Sequence, residues 1–131
     1  MTAYMNVLVV DDNREIWARL ISLLGDGPLP DIAYAGRLAE ARVLLREGAP
    51  QLVVLEIHLP DGCGLELLHE LRHCRPAVPV VVFSNHTELS AYVVAHGASL
   101  FLDKSLDFPG LLDLLKSLVA PPTSAARPLA A

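Results

Sequence analysis

The sequence predicts an α/β domain: a doubly wound, five-stranded parallel sheet with helices on both faces. Five short apolar runs recur along the chain, at 7–10, 32–35, 52–55, 80–83 and 100–102. Most are continuously apolar rather than alternating, the pattern of strands buried on both faces. The gaps between them are long enough for the crossover helix that parallel neighbours require.

The intervening segments carry apolar residues at helical spacing. In the first, Ile16, Leu20, Leu23 and Leu24 share a face and Gly25 offers a stop. The second carries Leu38, Ala41 and Leu45 and ends at Gly48. The third has Leu65, Leu68 and Leu71 before a turn around Pro76. The fourth carries Leu89 and Val93 and ends at Gly97. The fifth has Leu111, Leu112, Leu115 and Leu118, with Asp107 expected as N-cap and Pro109 near the first turn. The order is βαβαβαβαβα. The expected division is one domain, 1–119, followed by a flexible tail, 120–131, rich in Pro and Ala.

Composition narrows the function. The 131 residues suit one core, and 53% apolar with 19% charged residues is a globular balance. A net charge of −5, with lysine only at Lys104 and Lys116, argues against nucleic acid, which needs clustered cationic side chains. No signal peptide and no membrane-spanning run is expected. Cys63 and Cys74 fall in the third predicted helix, about 16 Å apart at ~1.5 Å per residue, too far for a disulfide. Reduced thiols and a cytoplasmic location are expected.

In doubly wound sheets, ligands bind beyond the carboxyl ends of the strands. Asp11 and Asp12 follow the first run, Glu56 the third, Ser84 ends the fourth, and Lys104 closes the fifth. Taken singly, each has a plain explanation: a helix cap for an aspartate or for Ser84, a solvated surface charge for Lys104 or Glu56. Together at one edge they form an acidic pocket. Such carboxylates suit a hard cation such as magnesium, and they repel one another unless a cation or a lysine compensates. Lys104 is the lysine placed to do so.

These residues sit in recognisable stretches. Val7-Leu-Val-Val-Asp-Asp-Asn13 resembles the opening of response-regulator receiver domains, whose paired acids bind magnesium. Leu52-Val-Val-Leu-Glu-Ile-His-Leu-Pro-Asp-Gly62 is similar to the family's third strand and following loop, and Val80-Val-Val-Phe-Ser84 to its fourth strand with a hydroxyl residue. Gly97-Ala-Ser-Leu-Phe-Leu-Asp-Lys104 resembles the fifth strand, with Phe101 as the switch aromatic and Lys104 as the phosphate-binding lysine. The resemblance implies a flavodoxin-like fold with strand order 2-1-3-4-5. It also implies Asp11, Asp12 and the backbone carbonyl of His58 as metal ligands.

Two positions depart from the family. Glu56 stands where the family has the aspartate that accepts phosphate from a histidine kinase. Ser105 replaces the proline that commonly follows a cis bond, and a non-proline cis bond costs about 3 kcal/mol, which leaves the loop after Lys104 open. The extra methylene of glutamate is expected to carry the carboxylate outward, toward the phosphoryl position and Lys104. The side chain of His58 reads as an exposed loop histidine, and His69 and His73 as an i, i+4 pair without an acidic partner.

The reading is therefore a stand-alone, phosphorylation-independent receiver, not an enzyme, with weak magnesium binding. It would contact a sensor histidine kinase or a downstream signalling protein through the fourth helix, fifth strand and fifth helix, a face that also leaves room for a homodimer. Neither nucleic acid nor membrane is an expected partner. Two rivals stay open: Glu56 as phosphoacceptor, and a phosphatase-like enzyme with Asp11 as nucleophile. Against the latter, Asn13 stands where such enzymes have the second acid of an Asp-x-Asp pair.

Overall fold

The computed structural model describes residues 6–25 and 30–118. The predicted tail, 120–131, and residue 119 lie outside the described residues. Numbering the strands of the main sheet, the elements are β1 (Val7–Val10), α1 (Arg14–Leu23), β2 (Ile32–Ala35), α2 (Leu38–Glu47), β3 (Leu52–Leu55), α3 (Gly64–Cys74), β4 (Val80–Ser84), α4 (Ser90–Ala95), β5 (Leu100–Asp103) and α5 (Phe108–Ser117). All strand pairs in this sheet are parallel, in the order β2-β1-β3-β4-β5. That is the 2-1-3-4-5 order implied by the resemblance.

The burial pattern explains why the apolar runs do not alternate. Every residue of β1, β3 and β4 is buried, because helices cover both faces of the central strands. Successive side chains still point to opposite faces. Leu8, Val10, Val53, Leu55, Val80 and Val82 pack against Leu38, Leu45, Leu67, Leu71 and Val93 of α2, α3 and α4. Val7, Val9, Val54, Val81 and Phe83 pack on the other face against Trp17, Leu20, Leu111 and Leu115 of α1 and α5. The edge strands are only partly covered: Leu100 on β5 is 43% exposed. Among the described residues no helix is long and apolar enough to cross a membrane.

Several local expectations are corrected. Asp107 holds the N-cap position of α5, but its carboxylate makes no cap bond; it accepts from the Asp103 N–H at 2.9 Å. Cys63 precedes α3 as its N-cap rather than lying within it, and both cysteines are free. Leu23 is 53% exposed rather than on the buried face of α1, and α1 is capped by Asn13, which accepts from the Ile16 N–H at 3.2 Å. No described peptide bond is cis, so Lys104–Ser105 is trans. The loop there is closed by Ser105 N–H to Asp103 Oδ1 at 2.7 Å and Ser105 Oγ–H to Asn85 Oδ1 at 3.0 Å.

The loop between β3 and α3 makes a two-residue antiparallel ladder, His58–Leu59 against Gly62–Cys63. Its Asp61 reaches back to α2, accepting from the Leu38 and Ala39 N–H groups at 2.8 and 3.0 Å. Arg37, the N-cap of α2, supplies no side-chain bond, so Asp61 performs that role from 23 residues away. The turn into α3 brings Gly64 hard against the third strand's exit, with its N–H on Ile57 O at 2.5 Å. A Cβ there would run into the Glu56 carbonyl oxygen. Backbone cannot yield as a side-chain tip can, so Gly64→Ala is expected to cost about 3 kcal/mol of stability in urea unfolding. A loss below about 0.5 kcal/mol would show that the loop is not held this tightly.

Candidate functional site

Parallel strands all exit at one edge, and four of the five deliver polar residues there. Backbone bonds fix the spacing: Asp11 N–H to Ala35 O, Glu56 N–H to Val10 O and Lys104 N–H to Ser84 O extend the sheet past its formal ends. Asp11, Glu56 and Ser84 are all buried, at 2%, 8% and 0% exposure. The Lys104 side chain is as enclosed, at 6%.

The centre of the site is the Lys104 ammonium. Its Nζ donates to Glu56 Oε1 at 2.6 Å and lies 2.7 Å from Asp11 Oδ2. The remaining carboxylate lone pairs are also served. Asp11 Oδ2 accepts from the Trp17 indole Nε1–H at 3.1 Å, and Oδ1 from the Asn13 N–H at 3.0 Å. Glu56 Oε2 accepts from the Ile57 N–H at 2.6 Å, and the Ser84 hydroxyl stands close enough to favour the charged carboxylate. Ser84 Oγ in turn accepts from the His86 N–H at 3.1 Å. Glu56 thus reaches Lys104 as expected, and stays buried with its second oxygen on the Ile57 N–H.

These bonds decide the protonation states. Burial pushes the Glu56 carboxyl up, yet the hydrogen bonds from Lys104 and Ser84 outweigh it and hold the group below its ordinary value of 4.5. Burial lowers Lys104, but its bonds to Asp11 and Glu56 hold it above 10.5. Both groups are charged at neutral pH. On the neighbouring strand, burial and then the Asp11 charge raise Tyr34 to about 12. The Tyr34 hydroxyl is buried with no hydrogen-bond partner among the described residues, and Arg14 lies 4.5 Å over its ring.

The other expected site residues are placed differently. Asp12 is exposed and makes no hydrogen bond or ion pair among the described residues. The His58 side chain is exposed and pairs with His86, Nδ1 to Nε2 at 2.7 Å, bridging the loops after β3 and β4. Phe101 is partly buried, packed on the α2–α4 side of the sheet, beside Val82 rather than Ser84. His69 and His73 lie ring to ring at 4.8 Å. The donors Trp17, Asn13 and the Ile57 amide were not singled out from sequence as site residues. Only the indole beside an acid, six residues on, hinted at one of them.

In this arrangement a divalent cation would have to compete with Lys104 for Asp11. Asp11 and Glu56 already share an ammonium, and Asp12 faces solvent. Among the described residues no group of three or more His, Cys, Asp or Glu is arranged to hold a metal.

Removing the ammonium tests this arrangement. Lys104→Met would leave two buried carboxylates unpaired and is expected to cost about 3–5 kcal/mol. The sign with pH follows from the shifts. The Glu56 contribution is present above 4.5 and is lost as pH falls through its lower folded value. The Lys104 contribution is full below 10.5 and is lost only as pH rises through its higher folded value. In the variant, burial acts on Glu56 without its cation, so its carboxyl should titrate above 4.5 by carbon-detected NMR rather than below. A Glu56 carboxyl still titrating below 4.5 would show that Lys104 is not what holds it down.

Comparison with known proteins agrees with this architecture. The family described as "Response regulator receiver domain" matches residues 7–116. The chain is 35% identical over 130 residues to the transcriptional activator protein ExaE of Pseudomonas putida, covering 96% of this chain and 60% of that protein. It is 31% identical over 105 residues to the DNA-binding transcriptional activator DevR/DosR of Mycobacterium tuberculosis, covering 78% of this chain and 48% of that one. The chain thus spans about half the length of the curated relatives it matches. Among solved structures, response regulator protein TrrA of Thermotoga maritima, in complex with magnesium and BeF, aligns with a TM-score of 0.71 at 25% identity, covering 88% of this chain and 99% of that one. By the extent of the family match and the identity of the strand order, this chain belongs to the response regulator receiver domain family of two-component signalling.

Proposed function

We propose that this chain is a receiver module whose signalling state is set by Glu56 itself and does not depend on phosphorylation. In this reading Glu56 stands at the phosphoacceptor position. One observation carries it: the Glu56 carboxylate already holds the Lys104 ammonium and the Ile57 N–H and stands beside Ser84, where a phosphoryl group at this place would need its donors. A buried carboxylate with a donor on each oxygen is a poor nucleophile, and misplacing a reacting atom by about 1 Å can cost ~100-fold in rate. The carboxylate supplies a charge of −1 beside Lys104, against roughly −2 for a phosphate near neutral pH. It is therefore an incomplete mimic of a phosphoryl group.

Magnesium is then a weak ligand, drawn to Asp12, Asp11 and the His58 carbonyl but competing with Lys104 for Asp11. Output runs through a protein partner, either a sensor histidine kinase or a downstream signalling protein. On the α4, β5 and α5 elements Val94 and Leu100 are exposed, with Leu106 in the loop before α5, apolar residues available for such contact. Receiver domains are non-enzymatic signalling modules as a class, and no catalytic role is assigned here. Asp11 as a phosphatase nucleophile is disfavoured by its burial and by its bonds to Trp17, Asn13 and Lys104. The DNA binding named for the relatives is a property of chains about twice this length and is not transferred.

The test is incubation with acetyl phosphate and magnesium, followed by intact mass. No adduct is expected on the parent chain, whereas Glu56→Asp should gain one. A stoichiometric adduct on Glu56 would overturn the proposal.

A further inference from the structure

The pocket closes around an ammonium, and the arrangement of Asp11 shows what keeps it closed. Resting on the reading of a site set by its own charges, we propose that Trp17 is a positioning residue: its indole N–H holds Asp11 as the internal counter-ion of Lys104 and withholds it from divalent cations. The indole donates to Asp11 Oδ2, the same oxygen that meets Lys104. Trp17 is 3% exposed, so this bond forms away from competing water. The ring cannot easily swing off. It packs edge-on against Phe83 at 6.1 Å between centroids, and Phe83 in turn lies under the Lys104 ammonium at 5.9 Å. Asn13 takes the other Asp11 oxygen, so the carboxylate has two fixed protein partners besides the lysine.

A hard cation binds only by offering a carboxylate more than it loses. Here it would have to displace both an indole donor and an ammonium from a buried group. Removing the indole donor alone leaves Asp11 one partner short, a deficit that a cation can fill. Hydrogen bonds to charged groups are among the stronger ones, so the effect should be large enough to read as a change in affinity.

The experiment is a magnesium titration of the full chain, followed by the backbone amide signals of Asn13 and Ile57, for the parent, Trp17→Phe and Leu20→Ala. Phenylalanine keeps an aromatic ring against Phe83 but has no N–H. Leu20→Ala loosens the same apolar cluster while leaving the indole donor in place. Trp17→Phe should bind magnesium about tenfold more tightly than the parent, and Leu20→Ala should match the parent despite its lower stability. Equal affinities for the parent and Trp17→Phe would overturn the inference while leaving the phosphorylation result untouched. Equal tightening in both variants would also overturn it, since loosening alone would then be the cause. Micromolar binding by the parent would instead contradict the reading on which it rests.

Discussion

The ammonium of Lys104, set between the carboxylates of Asp11 and Glu56, is the interaction on which the rest of the site depends. Two carboxylates buried this deeply repel each other and are starved of water. One cation between them relieves both problems, but it leaves the cluster with a net negative charge. The remaining deficit is met by neutral donors rather than by a second cation: the Trp17 indole and the Asn13 and Ile57 amides. A buried ion pair of this kind is not itself strong evidence for stability, because desolvation offsets much of its attraction. Its consequence is specificity of arrangement: each carboxylate oxygen has a fixed protein donor, and the loops that carry those donors are held with it.

The fold makes this arrangement unavoidable. Strand order 2-1-3-4-5 puts β1 and β3 side by side at the centre, so Asp11 and Glu56 leave adjacent strands. β4 and β5 follow, bringing Ser84 and Lys104 in from one side. Gly64 lets the chain turn back over Glu56 at a distance no side chain would tolerate. The His58–His86 contact then ties the loops after β3 and β4 to each other.

Much of this was legible in the sequence, for identifiable reasons. The central strands were readable because burial on both faces removes alternation, and β1, β2 and β3 begin and end where the apolar runs do. Asp11, Glu56, Ser84 and Lys104 were readable because a parallel sheet sends all strand exits to one edge. What sequence concealed was mostly long-range. Nothing local marks Asp61 as the cap of α2, since its partners are 22 and 23 residues away. Asp107 has the residue type and position of a cap, but the nearby Asp103 amide competes for its carboxylate and wins. The reach of Glu56 to Lys104 followed from its length, whereas its second bond, from the Ile57 amide, is one that only the folded loop presents.

The most direct test of the account is a double-mutant cycle between the two charged partners, using Glu56→Gln, Lys104→Met and the pair, with unfolding free energy as readout. A shared buried bond should give a coupling of about 2 kcal/mol, with the double variant less destabilised than the sum of its parts. A coupling within about 0.5 kcal/mol of zero would mean that Glu56 and Lys104 do not hold each other, and the account of a site set by its own carboxylate would fail.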